Sequence, residues 1–94
     1  METFKVAHLR EQGQDMVIVI VGPAFASMSS KDQDDGMNVL QICAESAGLA
    51  GLVVPVWREG NRAKFIAPLN WHPFFQSLTW DRILSSVNRE LHCG

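Results

Sequence analysis

The chain has 94 residues, of which 47% are hydrophobic, and its formal charge is −2 at pH 7. This length fits one domain, residues 1–94, with enough apolar content to build a core without disulfides or metals. A net acidic chain is poorly suited to binding polyanions, so we expect no nucleic-acid partner. No apolar run approaches the roughly 20 residues that span a bilayer as a helix, so we expect no membrane association.

The first apolar segments predict a β-hairpin over residues 3–21. Residues 16–21 read Met-Val-Ile-Val-Ile-Val, and branched side chains of this kind suit a strand that is buried on both faces. Gly13 provides the residue that a tight turn needs, which places Arg10 opposite Asp15. One face of this hairpin then carries only apolar side chains, namely Ala7, Leu9, Met16, Ile18 and Ile20.

A helix is predicted over residues 31–47. Ser30 and Gln33 have the spacing of a capping box at its start. Gly48 suits the left-handed residue that commonly ends a helix, with Leu49 folding back on the last turn.

A second hairpin is predicted over residues 52–67 and a last helix over residues 80–92. Pro55 requires an edge strand, a bulge or a longer loop in this hairpin, because proline has no amide proton for a sheet ladder. The last helix is predicted because apolar residues recur at helical spacing, at Trp80, Ile83, Leu84, Val87 and Leu91.

The resulting order of elements is ββαββα, which predicts an α+β fold. We expect a two-layer sandwich with a four-stranded mixed sheet and two helices on one face. A right-handed crossover through the first helix makes the second and third strands parallel if they are neighbours.

Such an architecture leaves one apolar sheet face uncovered. Large exposed apolar patches are uncommon on soluble monomers and often mark interfaces. We therefore expect a homodimer or another protein partner on this face, unless the helices or the aromatic segment cover it. The expected partner-binding residues are Leu9, Met16, Ile18, Ile20 and Trp57 on the sheet, with Trp71, His72, Phe74 and Phe75.

The aromatic loop over residues 69–78 supports two interpretations. Its clustered rings are typical of anchors for a protein partner, because rigid side chains gain contact area at small entropic cost. The same rings also suit the filling of the core between the fourth strand and the last helix. A third hypothesis is a small-molecule-binding or catalytic pocket near Trp71, His72 and Trp80.

The sequence carries no catalytic or metal-binding motif that we can assign, so we expect no cofactor and no metal. Cys43 and Cys93 are too few and too distant to predict a disulfide scaffold. With no secretory pattern at the start, this predicts a reduced, cytoplasmic protein. His8 is expected to be hydrogen-bonded on the sheet, and His92 with Cys93 to fray. Three cations of the second hairpin, Arg58, Arg62 and Lys64, are expected to be solvated, although they offer contacts to an anion.

Overall fold

A computed structural model, which describes residues 2–93, shows an α+β fold built on one mixed sheet. In chain order the elements are β1 (Glu2–Glu11), β2 (Gln14–Ile20), α1 (Ser30–Ser46), β3 (Leu52–Glu59), β4 (Arg62–Phe65), α2 (His72–Gln76), α3 (Trp80–Ser86) and β5 (Arg89–Cys93). Short 3₁₀ turns precede α1 at Pro23–Ser27 and α2 at Leu69–Trp71. The strand order is β4-β3-β2-β1-β5, so the prediction of four strands is wrong.

The first hairpin has the predicted register. Gly13 adopts a φ of 77° in the turn, and Arg10 pairs with Asp15, with Nη1 of Arg10 lying 3.2 Å from Oδ1 of Asp15. The parallel arrangement of β2 and β3 is also confirmed, with Val17 beside Val53.

The fifth strand replaces the second half of the predicted helix 80–92. Helix α3 ends at Ser86, and β5 then pairs antiparallel with β1. The hydroxyls of Ser85 and Ser86 donate to the carbonyl of Arg82. Such side-chain bonds compete with the backbone hydrogen bonds of a helix and weaken it. The side chain of Asn88 accepts from the amide of His8 at 2.8 Å and donates to its carbonyl at 3.0 Å, which fixes β5 beside β1. The predicted fraying at the end of the chain is therefore wrong for residues 92 and 93.

Helix α1 begins one residue earlier than predicted. Ser29, not Ser30, is the N-cap, and its hydroxyl accepts from the amide of Asp32 at 3.1 Å. The helix ends at Ser46, one residue before the predicted end, but the predicted stop is confirmed, because Gly48 has a φ of 78° and the amide of Leu49 donates to the carbonyl of Ala44.

The second hairpin does not place Pro55 in an edge strand or beside a longer loop, so that prediction is wrong: Pro55 lies in β3, an inner strand that pairs with both β2 and β4. A two-residue turn at Gly60 and Asn61 joins β3 to β4, and β4 is the outermost strand. The amide of Ile66 donates to the carbonyl of Pro55 at 3.2 Å, but proline has no proton to return. Strand β4 accordingly ends at Phe65, one residue before this position.

Both faces of the sheet are covered, so the two-layer prediction and the uncovered face are wrong. On one face, Leu40 and Ala44 of α1 pack in a core with sheet valines. On the other, Phe75 of α2 and Ile83 of α3 pack on the apolar face of the first hairpin. The physical reason is that side chains alternate along apolar central strands, which then need cover on both sides. Two short helices supply the second cover.

The two cysteines form a disulfide, contrary to the expectation of free thiols. Cys43 of α1 is bonded to Cys93 of β5, with their Cα atoms 5.8 Å apart. The premise of unpaired thiols on which the cytoplasmic prediction relied is therefore wrong. No helix within residues 2–93 has the length and apolarity to cross a membrane.

Candidate functional site at the edge of the sheet

The predicted partner-binding residues belong mainly to the core. Four of them are buried, with 1–7% of their surface exposed: Met16, Ile18, Trp57 and Phe75. Four more are half-buried and pack against the core that Met16, Ile18 and Phe75 form between the sheet and the short helices: Leu9, Ile20, Trp71 and Phe74. The interpretation of the aromatic rings as core filling is therefore supported for this segment.

Trp57 lies apart from the aromatic segment. Its ring packs against Phe25 on the α1 side of the sheet, with ring centroids 5.7 Å apart. Its buried Nε1 has no hydrogen-bond partner within the part of the chain that the structure describes.

His72 is half-buried at the start of α2, where two contacts fix its ring. Its Nε2 lies 2.9 Å from the carbonyl oxygen of Ala67, and the ring meets Phe65 edge-on at a centroid distance of 5.1 Å. Among the three residues of the predicted pocket, His72 lines a cavity, whereas Trp71 and Trp80 do not line this cavity.

This cavity is an open groove of about 640 Å³ between β4 and the segment around α2, called here the β4–α2 groove. Its walls come from the second hairpin on one side and from the stretch between His72 and Thr79 on the other. The floor contains two rings, those of Phe65 and Phe75, whose centroids are 5.2 Å apart.

The backbone of β4 presents unpaired hydrogen-bonding groups along this groove. In an antiparallel pair, successive residues alternate between facing the neighbouring strand and facing away from it. The bond from Ile66 to Pro55 shows that the even-numbered residues of β4 face β3. The amide and carbonyl groups of Ala63 and Phe65 therefore point to the outer edge, where no other strand of residues 2–93 pairs.

The side chains of β4 make the two faces of this strand chemically different. Ala63 and Phe65 are half-buried and pack on the core beneath α2. Arg62 and Lys64 are exposed and alternate with them, so they project from the opposite face of the sheet. Among the described residues, no carboxylate lines the groove, although Glu59 lies opposite Arg62 on β3.

The sequence predicted the cations of this site but not their setting. Arg62 and Lys64 are visible as hairpin charges, but Pro55 indicates an edge at its own strand, β3, whereas the edge strand is β4. The contribution of Ala63 has no signal in its own side chain, because the groups that it presents at the outer edge are its backbone amide and carbonyl.

No group of three or more His, Cys, Asp or Glu side chains within residues 2–93 is placed to hold a metal ion. Comparison with known protein families, curated proteins and solved structures finds no match.

Proposed function

We propose that the protein is a small interaction module that binds an extended acidic segment of a partner protein as an added strand on β4. The observation that carries this proposal is the pair of outward-facing backbone positions, Ala63 and Phe65, beside an open groove. Strand addition at a sheet edge is a common mode of peptide recognition, in which backbone bonds give affinity and alternate side chains give specificity.

The two faces of β4 define the pattern of the partner segment. Side chains of an added strand alternate between the two faces of the sheet, as those of β4 do. One set enters the β4–α2 groove above Phe65 and Phe75, where apolar side chains bury their surface. The other set meets Arg62 and Lys64, where carboxylates gain charge-assisted contacts. A segment that alternates apolar and acidic residues matches both faces.

The positive charge of the edge also argues against pairing between two copies of β4. Lysine and other charges on edge strands oppose the pairing of like edges. Two β4 strands would bring Arg62 and Lys64 of each copy together, whereas an acidic segment removes this repulsion. This supports a different protein as the partner at β4, rather than a homodimer.

The affinity expected from this short edge is low. Two outward-facing residues offer four backbone hydrogen bonds, each worth about 1 kcal/mol, which alone corresponds to about millimolar binding. Burial of apolar side chains in the groove adds to this, so the module is suited to transient contacts.

The test uses a synthetic peptide of alternating valine and glutamate, with a valine–lysine peptide of equal length as its control. Amide chemical shifts of the full chain, recorded during titration, locate the bound peptide. We expect the valine–glutamate peptide to change the chemical shifts along β4 and α2, and the valine–lysine peptide to leave them unchanged. The Arg62→Glu/Lys64→Glu double variant should lose this binding, and Arg89→Glu on the opposite edge strand should retain it.

A second variant separates backbone pairing from charge. In Ala63→Pro, the lost amide proton is one that faces outward, so the bonds to β3 remain while one bond to the peptide is removed. We expect weaker binding with unchanged shifts across β1 and β2. Binding that survives both Ala63→Pro and the charge reversal would overturn the proposal.

A further inference from the structure

We propose a second docking site, independent of β4, in which an amphipathic helix of a partner protein, with basic flanks, lies along α1. The site is a half-open cavity of about 620 Å³ on the α1 side of the sheet, called here the α1 groove. It is formed by α1, the 3₁₀ turn before it and the adjoining ends of β1, β2 and β5.

The surface of the α1 groove is apolar where it meets solvent. Met28 and Val39 line it and remain 38% and 57% exposed, while Phe4, Phe25 and Leu40 form its deeper wall. Ile42, which is 63% exposed, follows Val39 by three residues and extends the apolar strip along α1. A strip that runs along a helix beyond the cavity fits a partner helix better than a compact ligand.

Gly36 provides an independent reason to expect a closely approaching partner. Glycine is a poor helix former, yet this residue lies inside α1 and lines the groove. A Cβ at this position would lie 3.5 Å from Cε2 of Phe25, which is ordinary van der Waals contact. The packing of the chain itself therefore does not require glycine here. A residue without a side chain allows a second backbone to pass close to α1.

The charge around the groove indicates the chemistry of the occupant. Glu2 lies in its lining and Asp32 stands one turn before Gly36, while the charge of Asp35, one turn before Val39, is largely offset by Lys31. Lys31 is ion-paired with Asp35 at 3.5 Å, and no cation of the described chain lines the groove. A partner helix with an apolar face and basic flanks complements this surface, and an acidic helix is repelled.

The experiment titrates the full chain with a synthetic amphipathic helix of leucine and lysine, of about 15 residues so that it forms a helix. A peptide with glutamate in place of lysine is the control. We expect shifts around the α1 groove, weakened at high salt because exposed charges are screened. Val39→Lys should weaken binding by about tenfold or more, whereas Leu84→Lys, on α3 across the sheet, should leave it unchanged.

Gly36→Ala gives a readout that a purely structural glycine would not give. The change favours the helix and fits beside Phe25, so we expect a higher melting temperature together with several-fold weaker peptide binding. Weaker binding without loss of stability supports close approach at Gly36. Equal binding by wild type, Gly36→Ala and Val39→Lys would overturn the inference.

Two further outcomes have equally definite meanings. A dimer of the free protein that Val39→Lys abolishes would place a second copy in the groove and overturn the proposed partner. Loss of leucine–lysine binding in the Arg62→Glu/Lys64→Glu variant would also overturn it, because the peptide would then depend on β4. Failure of acidic peptides to bind β4 leaves this inference unaffected.

Discussion

Phe75→Ala tests whether the aromatic segment is the second cover of the sheet. Phe75 is 2% exposed, and its ring meets Phe65 and Phe74 at centroid distances of 5.2 Å each. Replacing a buried phenylalanine by alanine costs about 3–5 kcal/mol, through lost burial and the cavity that remains. A domain of this length is stable by roughly 5–14 kcal/mol, so the variant should lose a large part of its stability.

Equilibrium unfolding in urea measures this loss. We expect the transition midpoint to fall while its slope stays similar, since the slope follows the surface exposed on unfolding. Leu69→Ala is the matched control, because Leu69 belongs to the same segment but is 83% exposed, and its substitution should change stability by less than about 0.5 kcal/mol. Equal stability of the two variants would refute the assignment of this segment to the core.

Three further substitutions or treatments test how α1 and β5 are fixed to the sheet. Gly51→Ala should destabilise by roughly 3 kcal/mol or more in urea unfolding, because φ is 119° and the new Cβ would collide with the backbone of Asp15; a neutral effect would contradict this geometry. Gln41→Glu should lower the free energy of unfolding by about 1–3 kcal/mol in the same assay, because the amide that donates to the carbonyl of Gly51 at 2.9 Å becomes a carboxylate, which cannot donate. Stability equal to that of the wild type would count against this contact. Reduction of the Cys43–Cys93 disulfide, which closes a separation of 50 residues, should lower the free energy of unfolding by about 4 kcal/mol. Thermal unfolding with and without a thiol measures this loss, and identical curves for samples confirmed as oxidised and reduced would contradict it.

The sequence predicts the local elements well because their signals are local. The glycine in the first turn and the glycine that ends α1 each act over a few residues, whereas Pro55 in the inner strand β3 does not mark the edge of the sheet. The register of the first hairpin follows from its turn, and the parallel pairing of β2 and β3 follows from the handedness of crossovers.

The fifth strand and the covered sheet face depend on contacts that are distant in sequence. Leu91 has a position consistent with the helical spacing of Trp80 and Ile83, but it also alternates with Cys93 as a strand requires. Pairing of β5 with β1 decides between the two, and the residues involved are more than 80 positions apart. The periodicity of a single segment cannot predict such a pairing. For the same reason, the sequence does not predict that Cys93 lies beside Cys43.

The candidate site could be predicted only in part for a similar reason. The sequence predicts exposed cations on the second hairpin, but the groove exists because α2 lies beside β4. The outward direction of the backbone groups of Ala63 depends on how β4 pairs with β3. The space for another chain beside Gly36 likewise depends on the fold, so neither feature can be read from the sequence. Conversely, Met16 and Ile18 are predicted to be uncovered because both helices are expected on one face of the sheet, whereas α2 and α3 cover the other face.

Amide hydrogen exchange of β4 tests the central claim most directly. In the free protein, the amides of Ala63 and Phe65 should exchange quickly, while that of Lys64 should be protected by its bond to β3. Saturation with the valine–glutamate peptide should slow exchange at Ala63 and Phe65, because each amide then donates to the added strand. Exchange at these two residues that is already slow in the free protein, or stays fast at saturation, would contradict the account.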